Sequence, residues 1–278
     1  MKPYDIETIG FLEEKANCIR KDIIHMTCVA GAGHPGGSLS AADIVSALYF
    51  HVMNINPKDP DWADRDRFIL SKGHACPVWY AALAEKGYFG MEHLNTLRKL
   101  HSILQGHPDM NKTVGIDMTA GSLGNGLSAG LGMVLSGMRV GKDYRVYVML
   151  GDGEIQEGMV WEAAMSAAHY KAKNLTAIID NNGLQVDGFT KDIMNVGQIA
   201  KKFEAFGWST IEIDGHNMEE ILKAFEYAEE TDGPVAIVAN TVKGKGVSFM
   251  ENACVWHGLA PNKEQAEKAM IELNKVGD

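Results

Sequence analysis

Two short oxygen-rich motifs carry the most chemistry in this sequence. Gly151-Asp152-Gly153 closes the mostly apolar run 144–150, and 27 residues later Asn181-Asn182 closes a second apolar run, 176–179 followed by Asp180. Asp152 offers a carboxylate and Asn182 an amide oxygen, both suited to a hard cation such as Mg2+. The two glycines let the backbone come close to a bulky ligand, and the N-terminus of the helix expected behind them favours anions. Ligands of open α/β sheets lie just beyond the carboxyl ends of strands. The pattern therefore predicts a metal-bridged diphosphate held between two strand ends. Either dipeptide alone is an ordinary turn; the pairing at strand ends, with a helix of the right length between, gives it meaning.

The histidines form the second group. There are ten, and His34, His74, His107 and His257 each sit in a glycine-flanked loop. None forms the H-x-x-x-H pair of a helical zinc site, and no carboxylate stands at ligand spacing from them. Imidazoles in such loops can donate to phosphate or sugar hydroxyls, or move protons near pH 7. The run 31–36 matches G-x-G-x-x-G literally. However, the residues before it have helical periodicity, and no acid follows near the ribose position until Asp59, so nicotinamide binding is set aside.

These residues need a scaffold, and the periodicity supplies one. Helices are expected over 6–27, 40–53 (capped by Ser38 or Ser40), from 75 to about 86, 91–100, 127–138, 196–206, 218–231 and 262–274. The segment 31–38 reads as a loop, and 54–66, polar and Pro-containing, as a surface loop. Strands are expected at 67–70, 144–150, 176–179, 209–213 and 235–239. Their alternation with helices after residue 144 argues for a doubly wound, mainly parallel α/β sheet with helices on both faces. Glycines within 127–138 imply close contact with a neighbouring element. No repeat or linker interrupts 1–278, which reads as a single domain.

Composition narrows the partners. The chain has 278 residues, 46% hydrophobic, enough for a sizeable core. Its 30 glycines exceed the average usage of about 7% by half. A net charge of −10 argues against nucleic acid and acidic membrane surfaces. The four cysteines, without metal spacing, fit a reducing cytoplasmic compartment. No apolar run approaches the roughly 20 residues of a membrane span, and the N-terminus lacks the apolar core of a signal peptide.

Taken together, Gly33-His34-Pro35-Gly36, Ser71-Lys72-Gly73-His74, Gly106-His107-Pro108, Gly121-Ser122-Leu123-Gly124, Gly151-Asp152-Gly153-Glu154 and Trp256-His257-Gly258 resemble the transketolase family, in that family's order and over essentially the whole chain. The resemblance is to the thiamine diphosphate-binding (pyrophosphate) domain, so the chain looks like the N-terminal subunit of a split transketolase. It implies transfer of a two-carbon ketol unit between sugar phosphates of the pentose phosphate pathway, with thiamine diphosphate and Mg2+. By the same resemblance Asp152, Asn182 and the Leu184 carbonyl would hold the metal. His74, Gly121, Ser122, Leu123, Gly153, Asn182, Lys243 and His257 would line the cofactor. His34, His107 and His257 would meet the substrate, shuttle protons and steady an alkoxide. Glu157 and Glu162 would face a subunit interface or simply solvent. Ser122, Asn125 and Gly37 depart from common family residues, and Gly37 leaves substrate identity open. A pyrimidine-binding partner chain would supply the activating glutamate, giving a heterotetramer of two copies of each. The rival readings are a deoxyxylulose phosphate synthase-like enzyme, a ketoacid decarboxylating component, a nicotinamide dehydrogenase and a non-catalytic subunit; the His-Pro-Gly and Trp-His-Gly loops favour transketolase.

Overall fold

The computed structural model describes residues 3–275. The first helix, α1 (Ile6–Ala30), starts at an Asp5 side chain that accepts from Thr8 N at 2.8 Å. It runs three residues past the expected end and stops at Gly31, whose φ of 62° is the left-handed conformation that terminates helices. The expected loop at 31–38 is partly helical: α2 (Pro35–Leu39) begins with proline at its first position, where a missing N–H costs nothing. Neither Ser38 nor Ser40 is a helix N-cap: Ala41 precedes α3, and Ser40 instead ends α2. Ser38 Oγ donates to the His34 carbonyl (2.7 Å), and Ser40 Oγ donates to Asp180 Oδ2 (2.7 Å). Then come α3 (Ala42–Ala47), a π-helical turn Leu48–Val52, and β1 (Arg67–Leu70).

The remaining elements are α4 (Cys76–Lys86), α5 (Asn125–Arg139), β2 (Val146–Gly151), α6 (Gly158–His169), β3 (Leu175–Asn181), the short hairpin β4 (Leu184–Gln185) and β5 (Gly188–Phe189), α7 (Thr190–Ile193), α8 (Ile199–Ala205), β6 (Ser209–Asp214), α9 (Met218–Glu230), β7 (Val235–Asn240) and α10 (Lys263–Asn274). The helix expected at 91–100 is a 3-10 turn over Met91–Thr96. The hairpin and α7 carry too few residues to show a period and went unforeseen. The α-helix after the Gly-Asp-Gly motif begins only at Gly158, because Glu154–Gln156 form a 3-10 turn first.

Five strands make one parallel sheet in the order β1-β2-β3-β7-β6. Side chains alternate cleanly between its faces. Phe68, Leu70, Tyr147, Met149, Ile178 and Ile237 pack with α1, α3, α4 and α9. Ile69, Val148, Leu150, Ile179, Ala236 and Val238 pack with α5, α6 and α8 on the other face. This is the doubly wound arrangement, with strands buried on both sides and therefore continuously apolar. Close approach of α5 explains its glycines: a Cβ on Gly130 would lie 2.6 Å from Val148 Cγ2, and one on Gly126 would lie 2.4 Å from Ser71 Cβ.

Because all five strands run the same way, all five carboxyl ends meet along one edge. Ser71-Lys72 follows β1, Asp152-Gly153 follows β2, Asn182 follows β3, Thr241-Val242-Lys243 follows β7, and Gly215-His216 follows β6. Among the described residues, no helix is long and apolar enough to cross a membrane.

Candidate active site

The register of β2 on β3 places Gly151 opposite Asp180, so the two motifs emerge side by side. Asp152 Oδ2 accepts from Gly183 N (3.0 Å) and from Thr190 Oγ1 (2.8 Å), which ties the strand end to the loop after β3 and to α7. The Asn182 amide is turned by its neighbours. Its Nδ2 donates to the buried carboxylate of Asp180 (3.0 Å), leaving Oδ1 to accept from Leu184 N (3.1 Å). The Leu184 carbonyl accepts from Lys243 Nζ at 2.9 Å.

Carboxylate, amide oxygen and backbone carbonyl are a hard oxygen set. Mg2+ usually takes one or two carboxylates and completes its shell with phosphate oxygens and water. No cluster of three His, Cys, Asp or Glu able to hold a metal occurs among the described residues, so a cation here would complete its shell with amide, carbonyl, water or ligand oxygens. The electrostatics fit that arrangement. Burial, with the Asp180 charge nearby, pushes the Asp152 carboxyl up. Burial and the neighbouring Lys72 ammonium push Lys243 down to about 8.

Three imidazoles cluster here: His74 and His257 line the cavity, and His34 packs edge-on against both rings without lining it. Ring centroids lie 5.2 Å apart for His34 and His74, 5.7 Å for His34 and His257, and 5.0 Å for the stacked His74 and His257. Burial is the leading cause that lowers all three, His34 and His257 to about 4 and His74 to about 2. They are neutral at pH 7. Their tautomers follow from cationic neighbours that can only donate: Lys243 Nζ lies 2.9 Å from His257 Nδ1, and Arg98 Nη2 lies 3.4 Å from His34 Nδ1. Both rings therefore carry their proton on Nε2.

The cavity measures about 230 Å3 and is lined by His74, Leu123, Asp152, Asn182, Lys243 and His257, with Gly153, Leu184 and the exposed Glu157 also on its wall. His107 is more exposed, stands outside the cavity lining and lies beside Gly121: a Cβ on that glycine would be 3.7 Å from His107 Cδ2. Burial, then the Arg98 charge, lowers His107 as well. Gly121 and Ser122 are exposed and stand outside the cavity lining, although Leu123 reaches it. Glu162 is exposed on α6. A larger hollow of about 490 Å3 backs onto Asp152 between Thr190 and Lys201. None of the four histidines lines it, whereas His74 and His257 line the smaller cavity, so the chemistry is assigned there.

Residues without a forecast role hold this geometry. Lys72 pairs with Asp180 and donates to the Gly37 carbonyl (2.7 Å); both charged groups are buried. Glu154 accepts from Ser71 Oγ, Gly124 N (2.9 Å) and Gly151 N (3.0 Å), fastening the 121–124 loop to the Gly-Asp-Gly turn. Burial raises its carboxyl. Lys72 and Glu154 fell inside recognised motifs, but only burial shows their function. Arg98 carried no motif at all; its left-handed φ of 60° and its contact with His34 mark it only in three dimensions.

The profile of the transketolase thiamine diphosphate binding domain matches residues 12–274. A 6-deoxy-6-sulfo-D-fructose transketolase subunit of Clostridium sp. (strain MSTE9) is 46% identical over 267 residues, which is 96% of this chain and 97% of that protein. An apulose-4-phosphate transketolase subunit of Phocaeicola vulgatus is 41% identical over 97% of this chain and 95% of its own length. Among solved structures, the transketolase of Leishmania mexicana superposes with a TM-score of 0.91 at 32% identity, covering 95% of this chain. This chain spans 41% of that one.

Proposed function

This chain belongs to the transketolase family, and on that premise we propose that it is the diphosphate-binding subunit of a two-chain transketolase, its whole length serving as one domain. With a pyrimidine-binding partner chain it transfers a two-carbon ketol unit from a ketose to an aldose, using thiamine diphosphate and Mg2+. Two copies of each chain make the assembly, with Glu157 and Glu162 at the subunit interface. Unpaired cysteines suit a reducing, cytoplasmic setting.

One observation carries the reading: Asp152, Asn182, Leu184 and Lys243 line one cavity with His74 and His257, and His34 packs against both of those rings. Asp152, Asn182 and Leu184 would hold Mg2+, and Lys243 would neutralise the diphosphate. The bound cofactor supplies the carbon nucleophile and the electron sink. The chain's own groups then bind and orient. Nε2–H of His257 and of His34 donates to substrate oxygens and stabilises the charge that develops there. His107, exposed outside the cavity lining, meets the sugar farther out. With pKa values of about 4, His34 and His257 act as neutral donors, and each takes up a proton only transiently. At about 230 Å3 the cavity is smaller than the roughly 300–1,000 Å3 of a complete ligand site, which supports completion by a second chain. The exposed apolar Val186 on its wall supports the same reading.

The relatives' names place a sulfonate or a phosphate on the sugar. The substrate class proposed is therefore a ketose with an anionic terminal group, and the standard sugars of the pentose phosphate pathway are included. Ketol transfer assayed with this chain, with a pyrimidine-binding chain and with the mixture tests the proposal. Turnover should require both. Robust turnover by the isolated chain, or a thermal shift with NAD and none with thiamine diphosphate, overturns it.

A further inference from the structure

A buried polar chain outside the cavity connects α1 and α3 to the loop that carries Lys243. Asp43 in α3 pairs with Arg20 of α1 and lies 2.7 Å from Nδ1 of His216, just beyond β6. The other ring nitrogen, Nε2, lies 2.8 Å from the backbone nitrogen of Val242. A backbone N–H can only donate, so Nε2 bears no proton and Nδ1–H is given to Asp43. One tautomer of a neutral ring satisfies both neighbours.

Val242 immediately precedes Lys243, whose ammonium bridges the Leu184 carbonyl and His257 Nδ1, each at 2.9 Å. The contact between the two loops is tight. A Cβ on Gly215 would lie 2.5 Å from Thr241 Cγ2, and Arg20 Cδ would lie 3.2 Å from a Cβ on Gly246. Buried ion pairs are costly to desolvate, and apolar packing often stabilises a fold as well. What apolar side chains could not supply here is a fixed acceptor for Val242 N–H.

We propose that Asp43 and His216 are positioning residues that set the Val242–Lys243 backbone, and through it the place of the Lys243 ammonium over the diphosphate subsite. This rests on the cofactor reading above. His216 touches neither cofactor nor substrate; it acts through the main chain.

Two variants separate positioning from a merely structural role. His216→Gln brings an amide oxygen near the Nε2 position and keeps the acceptor. His216→Asn reaches only toward Asp43 and loses it. The full chain would be titrated calorimetrically with thiamine diphosphate plus Mg2+, and each protein melted. The Gln variant should stay within about threefold of the unaltered chain, and the Asn variant should bind about 10- to 100-fold more weakly, the range typical of groups that orient a ligand-binding residue. Their melting temperatures should be similar. Nitrogen-15 NMR of the unaltered chain should show a neutral His216 ring protonated on Nδ1, a readout that requires no variant to fold. Equal affinity of the two variants, or a ring protonated on Nε2, overturns the proposal. Absence of cofactor binding by the unaltered chain would instead overturn the functional reading on which it rests.

Discussion

Replacing Lys72 by methionine removes the cationic partner of a carboxylate with no exposure to solvent. Asp180 accepts from Lys72, from Ser40 (2.7 Å), from Asn182 (3.0 Å) and from Thr241. Burial alone would raise its pKa, but the Lys72 ammonium and the hydroxyl donors outweigh that and hold it below the usual carboxylate range. Removing one member of a buried ion pair costs about 3–5 kcal/mol. Each kcal/mol shifts the melting temperature of a chain near this size by roughly 2–4 °C, so a fall of about 6–20 °C is expected. The pH dependence sharpens the test. In the unaltered protein the folded pKa lies below the unfolded value of about 3.9. Its stabilising contribution is present above that value and disappears as pH falls through the folded one. In Lys72→Met burial dominates and the folded pKa lies above the unfolded one. The folded state then holds a proton that the unfolded chain releases, and stability falls as pH rises. Scanning calorimetry of both proteins at about pH 5 and about pH 8 should show a deficit that widens with pH. A deficit under about 1 kcal/mol at the higher pH, or one equal at both, would refute the reasoning.

Three further outcomes follow from the same geometry. Asp152→Ala should abolish Mg2+-dependent binding of thiamine diphosphate, and unchanged affinity in calorimetry would remove its metal role. Gly126→Ala forces a methyl to within 2.4 Å of Ser71 Cβ and should cost about 1–3 kcal/mol in chemical denaturation; an unmoved midpoint would mean that α5 and the loop after β1 part freely. His74 has a folded pKa of about 2, well below the unfolded value of about 6.5. The unfolded chain therefore binds more protons below about pH 6.5, and stability declines as pH falls through that window. His74→Gln should flatten the decline between about pH 6.5 and about pH 4, and an identical slope would show that His74 does not titrate differently on folding.

The sequence alone carried the sheet. Val235–Asn240 and Val146–Gly151 are too short and too uniformly apolar to be anything but strands buried on both faces, and the helices between them fixed parallel pairing. It also carried the family, because glycine, aspartate, asparagine and histidine occur at spacings that few other folds require. It missed α2, since Gly36 and Gly37 argue for a loop while the Pro35 ring and the hydrogen bond from Ser38 to the Ala75 carbonyl favour a helix. It offered Ser38 or Ser40 as a helix N-cap, although the Ser40 hydroxyl serves Asp180, 140 positions away.

The difference lies in what each kind of interaction depends on. Hydrophobic period, turn chemistry and ligand type are local, and a linear reading recovers them. The pairing of Lys72 with Asp180, the reach of Glu154 to Gly124, and the link from Asp43 through His216 to Val242 join residues far apart in the chain. Their worth depends on burial, because only in a site shielded from water does an unpaired charge cost enough to fix its partner's position. The chain supplied oxygen and imidazole groups at telling spacings; folding decided how those groups are aimed, that His34, His74 and His257 stay neutral, and which nitrogen of His34, His216 and His257 keeps its proton.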